Sequence, residues 1–82
     1  MKFEFTGEVK SFFGVTLKRI RRPDNGEVGG WIERENNLSV YGNAWVYGDA
    51  QVYGNARVSG DAQVFGDARV SENTYLTEGE TK

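Results

Sequence analysis

From Val40 onward the chain repeats one six-residue word. VYGNAW (40–45), VYGDAQ (46–51), VYGNAR (52–57), VSGDAQ (58–63) and VFGDAR (64–69) are followed by two degraded copies, VSENTY (70–75) and LTEGET (76–81). A short fixed period marks a repeat architecture, because a unit this small cannot bury its own apolar side chains and must stack on its neighbours. Within each word the segment Ala-x-Val-x alternates with the strand period of two, Ala and Val on one side and the x residues on the other. The Gly-Asn or Gly-Asp that follows is a turn signal, since Gly accepts positive φ and Asn or Asp tolerates it better than most residues. Each word is therefore a short strand and a corner. A chain that turns the same way after every short strand winds into a coil, and three equal sides give the most compact closed cross-section.

Three words per coil place residues eighteen apart one above another, at a strand spacing of about 4.8 Å. The seven words then make about two coils. Val40, Val58 and Leu76 are expected in one inner column, Val46 and Val64 in a second, Val52 and Val70 in a third, with alanines 44, 50, 56, 62 and 68 filling the corners. Outside, the same register puts Trp45 and Tyr47 on one face with Gln63 and Phe65. A second face carries Tyr41, Arg57, Ser59, Tyr75 and Thr77, and a third carries Gln51, Tyr53, Arg69 and Ser71.

This pattern, aliphatic at the first position and small at the fifth, resembles the hexapeptide-repeat proteins. The resemblance implies an all-β fold, a short left-handed parallel β-helix. With the N-terminal "GGWIERENNLS" leading into the repeats, the chain also looks like short β-solenoid proteins of phages and prophages. A left-handed crossover opposes the usual preference, so the hexapeptide corner has to impose it.

Two coils make a thin core, and residues 1–39 are expected to cap it. Phe3 and Phe5 alternate with charges, Val15 and Leu17 do the same, and "RRPDNGE" is a hairpin turn. Strands are expected near 2–9, 14–21 and 27–33, forming an antiparallel hairpin or meander, with Trp31, Ile32 and Leu38 covering the first coil. The expected organisation is thus a β cap at 1–39 and a β-helix at 40–82, together one structural domain.

Composition narrows the function. The 82 residues contain no cysteine and no histidine, which removes thiolate zinc sites, cysteine nucleophiles and the commonest general base and metal ligand at neutral pH. The resemblance would otherwise admit acyltransferases, which generally rely on a catalytic histidine between coils, and zinc enzymes built on several; neither can be carried onto this sequence. No enzyme activity, cofactor or metal is expected. Residues 1–39 hold seven Lys or Arg against six Asp or Glu, and residues 40–82 hold three against six, so neither half is basic enough for nucleic-acid binding to lead. The start, MKFEFTGEVK, builds no apolar run, so no membrane is expected and the cytoplasm is the expected address, that of the host cell for a phage protein.

What remains is a protein-binding or self-assembling module. Trp45, Tyr47 and Phe65, with Tyr41 and Tyr53, are the candidate contact residues, because aromatic residues dominate binding surfaces; the alternative is that the cap folds over them. Lys18, Arg19, Arg21 and Arg22 form a basic patch able to grip phosphate or an acidic partner, or a charged edge that discourages unwanted pairing. The expected partner is a host protein, inhibited by occlusion, or a second copy in a homodimer through the solenoid.

Overall fold

The computed structural model describes residues 2–82. Its strands are β1 (Glu4–Phe12), β2 (Val15–Arg21), β3 (Val28–Ile32), β4 (Trp45–Val46), β5 (Gln51–Val52), β6 (Arg57–Val58), β7 (Gln63–Val64), β8 (Arg69–Val70), β9 (Tyr75–Leu76) and β10 (Glu80–Thr81). A single 3-10 turn spans Glu35–Asn37. Strands β1 to β3 form an antiparallel meander, and the remaining ladders are parallel. The protein is a short parallel β-solenoid with an N-terminal antiparallel meander.

The two parts share a strand. β3 pairs antiparallel with β2 on one side and parallel with β5 on the other, so the five-stranded sheet runs β1-β2-β3-β5-β8 without a break. The parallel pairing therefore reaches back across the expected division at residues 39 and 40. Two glycines permit this. A Cβ on Gly30 would lie 2.6 Å from Val46 Cγ1 and 2.7 Å from the Ala50 carbonyl, and one on Gly29 would lie 2.7 Å from the Val46 carbonyl. Only a strand without side chains at those two positions comes this close to the first coil.

Three walls enclose the core. One is β3-β5-β8, another β4-β7-β10, and the third pairs β6 with β9 and adds Leu38 through a bridge to Val58. The expected offset of eighteen holds for Val46–Val64, Val52–Val70 and Val58–Leu76. Ile32–Val52 and Leu38–Val58, however, are offset by twenty. Leu38, not Val40, heads the inner column of Val58 and Leu76; Val40 is exposed. The extra two residues lie between Leu38 and Trp45, and they push Val40 and Tyr41 out of the coil as a bulged corner.

The regular corners share one geometry. Ala50 N donates to Tyr47 O (3.0 Å), Ala62 N to Ser59 O (3.1 Å) and Ala68 N to Phe65 O (3.2 Å), each enclosing a glycine with φ near +60°. Glycine alone takes the left-handed conformation here; the Asn or Asp after it does not. This is the pattern of a II′ turn. In the sixth word Glu72 occupies the glycine place at φ 58°, in the corner closed by Thr74 N to Ser71 O. Replacing it should relieve that strain. Glu72→Gly is expected to raise the unfolding free energy by about 0.5–1 kcal/mol, read as a shift of the urea midpoint at unchanged slope; a loss of stability would contradict the corner assignment.

Candidate protein-binding wall

The predicted stack between the β4 and β7 words is present. Trp45 pairs with Gln63 and Val46 with Val64, and the rings of Tyr47 and Phe65 lie parallel with centroids 4.4 Å apart. The exposed aromatic face expected there is not, because the meander covers it. Trp45 is 0% exposed, with the Arg22 guanidinium 4.1 Å from its ring centroid. A Cβ on Gly29 would stand 2.8 Å from the ring, so the strand lies directly on the indole. Tyr47 and Phe65 are half-buried, leaving only a two-ring stack at the edge of the covered region. Tyr53, also half-buried, packs edge-on against Phe12 at 5.8 Å.

The four basic residues do not form a common patch. Arg21 pairs with Glu4 (2.5 Å) and Arg22 with Glu27 (2.6 Å). Arg19 donates to Gly29 O (3.1 Å) and Gly48 O (3.4 Å) while lying over Trp31. Lys18 sits above the Phe5 ring. Three of the four hold the meander to itself or to the coil, and all four have a local partner.

The open surface is the third wall. Arg57 pairs in register with Tyr75, as the eighteen-residue period requires, and Tyr41, on the bulged corner, lines a groove with Arg57. Tyr41 is 81% exposed and Tyr75 66%. Glu35, Asn36, Ser39, Val40, Tyr41, Arg57 and Ser59 line a shallow groove of about 340 Å³ on one side of Arg57. On the other side Asn36, Asn55, Asn73 and Tyr75 surround a second depression of about 210 Å³. Among the described residues no acidic side chain is within salt-bridge distance of Arg57. The wall is thus rich in Tyr, Arg, Asn and Ser. Tyr offers large contact area at small conformational cost, and the short polar side chains offer adaptable hydrogen bonds.

Two anchors set this wall in place. Lys2 Nζ donates to the carbonyls of Tyr41 (3.4 Å) and Gly42 (3.5 Å), pinning the bulged corner. Burial pushes the Lys2 pKa below its ordinary value, and the charge of Arg22 adds to that effect. The second anchor is Asn37, fully buried, which the sequence reading did not single out. Its Oδ1 accepts from Glu33 N (3.0 Å) and Arg34 N (2.8 Å), and its Nδ2 donates to Gly54 O (3.3 Å) and Ala56 O (2.8 Å). One amide thereby fixes the 3-10 turn of the first coil to the corner of the second.

At the corners, Asn43 donates its amide to Asp61 Oδ1 one rung away, at 3.3 Å. That rung pairs an amide with a carboxylate, so no two charges are stacked there. Among the described residues no helix is long and apolar enough to cross a membrane.

Residues 50–64 and 62–76 each match the YdcK β-solenoid repeat model. The likeness covers the rungs from Ala50 to Leu76, which are the regular eighteen-residue part of the coil, and stops short of the meander. It supports a β-solenoid family. No curated protein matches the chain.

Proposed function

We propose that the chain is a non-catalytic protein-binding β-solenoid whose third wall, centred on Tyr41, Arg57 and Tyr75, docks a protein partner. The observation that carries this reading is the bulged corner. It turns Tyr41 out to solvent in one groove with an unpaired guanidinium, whose strand partner Tyr75 is also exposed, while the other large aromatics, apart from Phe13 at the tip of the β1–β2 hairpin, are wholly or partly covered. Tyr and Arg are the residue types that most often dominate binding energy. The short phage and prophage solenoids that the sequence resembles suggest the class of target, a host protein, defence components included, inhibited by occlusion.

The test separates the wall from the fold. Tyr41→Ala with Arg57→Ala removes exposed side chains and is expected to shift the unfolding free energy by less than about 1 kcal/mol. The same double substitution should weaken capture of the wild-type protein's partner at least tenfold, checked with that partner purified and titrated calorimetrically. Equal affinity of wild type and variant would remove the third wall from the account.

A further inference from the structure

We propose that the free edge of β1 is a pairing surface for a second copy of this chain, joined antiparallel about a two-fold axis through Val9. This goes beyond the binding wall and does not depend on it. Among the described residues, β1 is the end strand of the five-stranded sheet and pairs only with β2.

The turn at its end determines which backbone groups are free. Phe13 (φ 47°) and Gly14 (φ 80°) join Phe12 and Val15 in a two-residue hairpin with both central residues at positive φ. Such a turn closes on a hydrogen-bonded pair, here Phe12 and Val15. Alternation along the antiparallel ladder then points the amides and carbonyls of Ser11 and Val9 away from β2. Both residues are exposed, Val9 at 62%. A two-fold pairing centres either on a residue whose groups point outward or on the residue between two such residues; centring on Lys10 or Glu8 would set like charges opposite each other, which leaves Val9 and Ser11.

Charge selects Val9 over Ser11. With Val9 opposite the partner's Val9, Glu8 faces the partner's Lys10 and Lys10 faces the partner's Glu8. These are two cross-strand ion pairs of opposite sign, an arrangement that stabilises antiparallel pairs. Centring on Ser11 would set Lys10 against an aromatic ring and leave Glu8 with no opposing cation. Edge strands commonly carry charge to deter pairing; the charges on this one complement themselves under a two-fold rotation, as an isologous interface requires. The bulge between Phe5 and Val9 keeps the seam short. The product is one continuous sheet of ten strands, five from each copy.

Sedimentation equilibrium on the full chain, at concentrations up to roughly 1 mM, tests the proposal. Wild type should form a reversible dimer. Glu8→Lys and Lys10→Glu should each dimerise at least tenfold more weakly, because like charges then oppose each other in the homodimer. Mixing the two variants in equal amounts should restore the dimer, since residue 8 of each chain then faces an opposite charge at residue 10 of the other. Lys10 also lies over the Trp31 ring, but a folding defect in Lys10→Glu would not be rescued by mixing. Val9→Pro removes an outward N–H without costing a bond to β2, and should abolish dimerisation while leaving unchanged the thermal midpoint measured at a dilution where wild type is monomeric. A monomeric wild type, a dimer that survives Val9→Pro, or single variants that dimerise like wild type would each overturn the proposal.

Discussion

Trp45→Ala is expected to cost about 3–5 kcal/mol of unfolding free energy, the range for emptying an aromatic site in a core. The indole is wholly enclosed, with Gly29 and Arg22 against it and the coil behind it. The strand side offers only a glycine to fill the space, and Arg22 is held by its ion pair with Glu27. Loss on this scale is a large share of the 5–15 kcal/mol that holds a typical domain, and at 82 residues the reserve falls toward the lower end. Urea denaturation followed by far-UV circular dichroism measures it. Trp45→Phe should do much less harm, near 1–2 kcal/mol. It keeps a ring over the coil and deletes an indole N–H that has no hydrogen-bond partner among the described residues. A Trp45→Ala variant that folds with wild-type stability would return this residue to the binding surface.

Asn37→Leu should be nearly as damaging. The substitution keeps the branched shape and removes every hydrogen bond of the side chain, stranding the Arg34 amide and the Gly54 and Ala56 carbonyls, while the Glu33 amide keeps Val52 O. Each buried orphan costs about 1–3 kcal/mol; local relaxation and entry of water bring the expected total to about 3–4 kcal/mol. Asn37→Asp distinguishes the donors from the acceptor. It retains the acceptor for Glu33 and Arg34 but sets a carboxylate against the carbonyls of Gly54 and Ala56. Burial and those carbonyls favour the protonated acid, raising its pKa in the folded state above the value of about 3.9 in the unfolded chain. The folded protein then binds more protons than the unfolded one between the two values, so the deficit relative to wild type shrinks as pH falls through the raised pKa. Denaturation of both proteins at pH 4 and pH 7 checks the sign. A deficit that is independent of pH would mean that water has replaced the lost donors.

The regular rungs were legible because one word, repeated, fixes its own register. The columns through Val46, Val52 and Val58, the Tyr47–Phe65 stack and the partnership of Arg57 with Tyr75 all follow from a period of eighteen. The irregular first coil was not legible. VYGNA at 40–44 reads like its successors, yet Leu38 takes the inner place, because IERENN at 32–37 serves as a corner word with a 3-10 turn and a buried asparagine in place of Gly-Asp. Nothing in the repeat signals two surplus residues. The burial of Trp45 was legible only as the alternative that the cap folds over it, for a related reason. Its place in the coil is outward, and only a segment of chain outside the repeat covers it. The available sign was the Gly29-Gly30 pair beside a strand, which marks close approach of another backbone. The same covering moved the candidate surface from the Trp45 face to the wall of Tyr41 and Arg57.

The shared eighteen-residue rise also separates length from identity. The N-terminal end of this molecule is specified once, the meander by its glycines and the bulged corner by its surplus residues, whereas the rungs that follow repeat one another. Duplicating a full turn of three words would lengthen the stalk by one strand spacing and leave each terminus meeting the same neighbours. In such a fold, evolution or a designer can adjust reach as one adds a step to a ladder, without redrawing what stands at the top.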